Sequence, residues 1–151
     1  MELTKRELLL LGSGAIATMA VGLPTASAFA ASAEVEKQIA AFAGGAKIGS
    51  GKVSLTAPEI AENGNTVPIS VDVESPMTKA DYVKSVMLLA TGNPAPGVAT
   101  FHFSPMSGQA SATTRIRLAK TQEVIAVAKM SNGSVFMDKK VVKVTIGGCG
   151  G

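Results

Sequence analysis

Apolar residues recur along this chain in two rhythms, and the change from one to the other divides it. Val35, Ile39 and Phe42 fall at i, i+4 and i+7, Ser32 stands where an N-cap belongs, Glu34 and Glu36 occupy the first turn, and Gly44-Gly45 ends the run. The spacing predicts a short amphipathic helix. Further on the period becomes two. Over Thr66–Glu74 the residues Val67, Ile69, Val71 and Val73 share one face, while Ser70, Asp72 and Glu74 share the other, as in a half-buried strand. Pro68 cannot donate to a ladder and marks a strand start or an edge.

Other strand-like runs cover Lys52–Thr56, Val83–Ala90, Val98–Phe103, Ala112–Leu118, Glu123–Met130 and, as one strand or a pair, Val135–Ile146. Turn signals separate them: Glu62-Asn63-Gly64-Asn65, Gly92-Asn93-Pro94-Ala95-Pro96-Gly97, Met106-Ser107-Gly108 and Ser131-Asn132-Gly133-Ser134. The last reads as a two-residue hairpin. About seven short strands at this spacing predict an all-β fold, an immunoglobulin-like antiparallel sandwich with a short N-terminal helix. Two of the runs, Val86–Ala90 and Val124–Ala128, are apolar on both sides. Either they are central and buried, or their second face meets another subunit, in which case Met87, Leu89, Ile125 and Val127 are the candidate partner interface.

The first 30 residues follow a different pattern. Thr4-Lys5-Arg6-Glu7-Leu8-Leu9 opens a basic region, an apolar and small-residue stretch runs from Leu8 to Leu23, and Pro24 precedes Ala26-Ser27-Ala28. Residues 1–30 therefore read as a signal peptide cleaved after Ala28 or Ala30. It resembles a twin-arginine signal with Lys5 in place of the first arginine. The expected address is the periplasm, with a folded domain over residues 31–146 and a tail over residues 147–151.

The net charge of +3 is modest, the lysines are scattered, Trp is absent and Tyr82 is the single tyrosine. That combination offers neither a basic stripe nor a stacking platform for nucleic acid. His102 is the single histidine, no cluster of metal ligands is visible, and no nucleophile, base and orienting group recur at a catalytic spacing. The expectation is no catalytic residue, no metal and no cofactor. Asp72, Glu74, Asp81, Glu123 and Asp138 read as solvated, and Arg115 and Arg117 as one exposed strand face.

The chemistry that remains is at the end. Cys149 is the sole cysteine, flanked by Gly147-Gly148 and Gly150-Gly151. One cysteine forms no disulfide within its own chain, so the thiol is buried, paired between chains, or free. Glycines on both sides permit φ of either sign and supply no side chain for packing, which predicts a mobile arm after Ile146. An enzyme would hold its nucleophile rigidly beside a base; here the sulfur suits a carrier, modified inside the sites of other proteins. The rival reading is a structural module whose Cys149 makes an inter-chain disulfide.

At these residues the chain resembles the SoxY family, the sulfur-compound-carrying subunit of the bacterial thiosulfate-oxidising Sox system. The likeness rests on Pro58–Pro68, Ser75-Pro76-Met77, Asn93-Pro94-x-Pro96, Thr114–Leu118, Val124–Met130 and the terminal Gly-Gly-Cys-Gly-Gly. It implies an immunoglobulin-like sandwich that pairs with SoxZ, covalent attachment of sulfur at Cys149, and transient docking with the SoxAX cytochrome, the SoxB hydrolase and, where present, SoxCD.

Overall fold

The computed structural model describes residues 26–148. Most of the expected signal peptide lies outside them, as do Cys149, Gly150 and Gly151. Among the described residues the chain forms one helix, α1 (Ala26–Ala43), a 3-10 turn at Pro105–Ser107, and nine strands. The strands are β1 (Ile48–Gly49), β2 (Val53–Thr56), β3 (Ile60–Asn63), β4 (Val67–Val73), β5 (Val83–Ala90), β6 (Gly97–His102), β7 (Ala110–Ile116), β8 (Gln122–Met130) and β9 (Val135–Ile146).

Seven of these are the expected strands, and they make a sandwich. One sheet has the order β9-β8-β5-β6, the other β2-β4-β7, all antiparallel. The inward faces alternate as the sequence implies: Val67, Ile69, Val71 and Val73 of β4 meet Val86, Leu88 and Ala90 of β5 and Val124, Ala126 and Ala128 of β8 in one core. A fully buried Leu such as Leu88 contributes about 2 kcal/mol through the apolar surface it removes from water. Pro68 sits near the start of β4, opposite Arg115 of β7, and β2 reaches only as far as Ser70 on the other side. Its missing N–H therefore interrupts no ladder there.

The two strands that sequence reasoning missed, β1 and β3, pair in parallel with the outer edge of β9, at Val135–Phe136 and at Lys143–Ile146 respectively. They are two and four residues long, and Ile60 of β3 is exposed, so neither carries an alternation to detect. One face assignment also shifts. Strict alternation over Val98–Phe103 puts Val98 on the face of Thr100 and His102, but a β-bulge between Leu88 and Leu89 lets Val98 join Phe101 and Phe103 against the core. His102 is exposed.

The second apolar face has a cover within the chain itself. Met87 lies opposite Val127 and Leu89 opposite Ile125, on the side of the sheet away from the sandwich core. Together with Val135 they pack under Val35, Ile39, Phe42 and Ala43 of α1. The expectation that a partner covers Met87, Leu89, Ile125 and Val127 is thereby corrected. The i, i+4, i+7 stripe of α1 is long enough to bury them, so their apolarity no longer calls for another subunit.

Helix α1 starts earlier than Ser32, because the Ala-rich segment before it favours continued helix. It stops where expected: Gly44 and Gly45 adopt φ of 62° and 87°, the Gly44 N–H reaches Ala40 C=O, and Lys129 Nζ donates to Phe42 C=O at 3.2 Å. No described helix is long and apolar enough to cross a membrane.

Candidate functional site

The tail emerges from β9, and the last residues described before Cys149 are Gly147 and Gly148. The sequence predicts freedom immediately after Ile146. The backbone is instead held two residues further. Gly64 N–H donates to Ile146 C=O at 2.7 Å, Leu118 N–H donates to Gly64 C=O at 2.8 Å, and Gly148 N–H donates to Leu118 C=O at 2.8 Å. Three segments distant in sequence, the turn after β3, the exit of β7 and the exit of β9, are laced together through main-chain groups alone.

The lacing explains why glycine occupies these positions. A Cβ on Gly64 would collide with Leu118 C=O and lie 2.7 Å from Gly148 N, and one on Gly147 would collide with Ala119 C=O. On Gly148 it would lie 2.6 Å from Gly64 O. None of the three takes a positive φ. What they supply is space for backbone to meet backbone, the second use of a residue without a Cβ. Gly148 is buried.

The receiving segment is fixed from behind by a side chain that sequence reasoning treated only as part of a turn. Asn93 is 3% exposed. Its Nδ2 donates to Arg117 C=O at 2.8 Å, and its Oδ1 accepts from Ala119 N–H at 3.0 Å and from Gln122 Nε2 at 2.9 Å. Gln122 Nε2 also donates to Lys120 C=O, and its Oε1 accepts from Gly92 N–H at 2.7 Å. In an extended segment, main-chain groups of successive residues point to opposite sides. By taking those of residues 117 and 119, Asn93 leaves both groups of Leu118 facing Gly64 and Gly148. Every polar atom of this buried pair has a partner, as a low-dielectric setting demands. The signal that would have found Asn93 is the Asn-Pro-x-Pro run itself, in which the prolines leave the asparagine side chain as the group able to pair.

Asp138 is another correction. It is half-buried and not solvated: Oδ2 accepts from Leu55 N–H of β2 at 2.9 Å and Oδ1 from Lys139 N–H at 2.8 Å, joining the two sheets. Arg115 remains exposed, 3.4 Å from Thr66 Oγ1, and Arg117 is exposed too. Glu123 forms an exposed ion pair with Lys139 at 3.1 Å. Among the described residues no group of three His, Cys, Asp or Glu could hold a metal ion.

Residues 39–149 match the family described as sulfur oxidation protein SoxY. Among solved structures the chain is similar to the sulfur carrier protein SoxY from Chlorobium limicola f thiosulfatophilum, with 30% identity and a TM-score of 0.64 over 76% of this chain and 99% of that one. It is also similar to the superoxide reductase neelaredoxin from Ignicoccus hospitalis (19% identity, TM-score 0.56, 62% of this chain and 80% of that one). A putative superoxide reductase from Thermotoga maritima is comparable (18% identity, TM-score 0.54, 64% and 93%). At those identities the two reductases share the fold alone. No curated protein matches the chain. The match spanning nearly all of the sandwich and reaching the cysteine, with the likeness to a solved SoxY, places this chain in the SoxY family.

Proposed function

We propose that this chain is a periplasmic sulfur carrier of thiosulfate oxidation, with Cys149 as the covalent attachment point and no catalysis of its own. The observation that carries the reading is the position of the sole thiol, between two glycine pairs and next in sequence to Gly148, whose N–H the SoxY-family sandwich holds. Four glycines around the sulfur leave room for a bulky anionic adduct inside another protein's narrow site.

The chemistry this asks of Cys149 balances simply. The thiolate and thiosulfate join through a new S–S bond with loss of two electrons, which a c-type cytochrome partner accepts. Water then attacks the terminal sulfur of the adduct, releasing sulfate and two protons and leaving a persulfide on Cys149. The thiolate is the nucleophilic form, and in this reading the partner enzyme generates it in its own site. The stable partner in this reading is SoxZ, and docking with the SoxAX cytochrome, the SoxB hydrolase and SoxCD is transient. The resident cofactor is none; the sulfur adduct is cargo.

The deciding experiment is the intact mass of the protein from thiosulfate-grown cells, unreduced and then reduced, with mapping of the C-terminal peptide. Reductant-labile sulfur-containing additions on Cys149 are expected, and Cys149→Ser removes them together with thiosulfate-dependent turnover while leaving the fold intact. An unmodified Cys149, or only a Cys149–Cys149 dimer during turnover, overturns the carrier reading in favour of a structural inter-chain disulfide.

A further inference from the structure

We infer that Asn93 and Gln122 are positioning residues for the carrier cysteine, acting through a backbone clasp of Gly64, Leu118 and Gly148 that moves the pivot of the tail from Ile146 to Gly148. The chain of contacts is continuous. Gln122 fixes Asn93, Asn93 fixes the main chain of Arg117 and Ala119, Leu118 thereby presents its N–H and C=O, and these hold Gly64 and Gly148. Cys149 is the next residue.

The consequence is one of reach. With the clasp closed, the sulfur-bearing residue is a single residue, about 3.5 Å of chain, beyond the fixed Gly148 N–H. With it open, Gly147 and Gly148 join the arm, and the free length from Ile146 grows to three residues, about 10 Å. Opening breaks the bond from Gly148 to Leu118 and leaves β9 paired to β8 and β3. One main-chain bond contributes about 1 kcal/mol net, an amount that docking to a partner readily supplies. The clasp therefore gives a carrier two arm lengths, a short one at rest and a long one when a deep site draws the tail in. Only this consequence for sulfur transfer rests on the carrier reading; the clasp stands without it.

The test uses the mature chain and two readouts. The first is hydrogen exchange of the Gly148 amide, followed by NMR. The second is the rotational mobility of a nitroxide attached to Cys149, the natural single labelling site. In the wild type the Gly148 amide is expected to exchange about tenfold or more slowly than in an unstructured peptide. In Gly148→Ala, whose Cβ would stand 2.6 Å from Gly64 O, that protection is lost and the nitroxide becomes more mobile, with the melting temperature essentially unchanged. Asn93→Ala has the same two effects, and Asn93→Asp, which keeps the acceptor for Ala119 and Gln122, restores part of the protection. Should Asn93→Ala fail to fold, Gly148→Ala decides, since a substitution beyond the end of β9 leaves the sandwich core intact. A wild-type Gly148 amide that exchanges at the peptide rate, or a nitroxide equally mobile in wild type and Gly148→Ala, overturns the clasp. A protected amide in a protein that takes up no sulfur would refute the carrier reading and leave the clasp standing.

Discussion

Of the turns that pair an asparagine with a glycine, Asn132-Gly133 between β8 and β9 and Gly92-Asn93 after β5 use their asparagines in opposite ways. At the hairpin tip Asn132 Oδ1 accepts from Ser134 N–H two residues away, in solvent. Gly133 has φ of 86° with nothing near the place of its absent Cβ. Its N–H donates to Met130 C=O while Met130 N–H donates to Ser134 C=O, a type I turn closed by a left-handed glycine and a bulge, one residue longer than the predicted two-residue loop. Asn93 instead is buried and bonds across 24 to 29 residues. The glycine that the Asn93 network serves, Gly64, is needed because backbone passes close on two sides. The tip is a local device and the clasp a non-local one, built from the same residue types.

Substitutions sharpen that contrast, beginning with the largest effect. Gly64→Ala forces a methyl against Leu118 C=O and Gly148 N, and a loss of about 3 kcal/mol is expected in denaturant unfolding. Asn93→Ala strands buried partners on Ala119 and Gln122 and should cost about 2 kcal/mol by the same measurement. Gly133→Ala keeps open space but places an L side chain at positive φ, for about 1 kcal/mol. Asn132→Ala removes one exposed local bond and should change stability by about 0.5 kcal/mol or less. If Gly64→Ala proves as mild as Gly133→Ala, the distinction between a crowded and a conformational glycine fails here.

Much of the sandwich was legible because period-two alternation survives in β2, β4 and β7 and unbroken apolar runs mark β5 and β8, and the apolar stripe of α1 was legible at period 3.6. The owner of the second apolar face was not. Alternation identifies Met87, Leu89, Ile125 and Val127 as one surface but does not say whether a helix of the same chain or another subunit covers it. Strands β1 and β3 were hidden because their pairing is with β9, some 80 residues away, and their burial follows no period. Cys149 stood out by count and by its glycines. The clasp did not, because a glycine beside a cysteine looks the same whether it is there for freedom or for room, and the difference lies in what Leu118 and Gly64 bring to it.

Strand β9 runs twelve residues and is bonded to β8 along one side and to β1 and β3 along the other. Any pull on the cysteine is transmitted straight down that strand. Because cross-strand bonds to β8 lie perpendicular to the strand axis, such a load is shared among them at once and does not unpeel them singly. The molecule is thus anchored like a rope spliced into its thickest cable, with the Gly148 to Leu118 bond as the stitch that yields first.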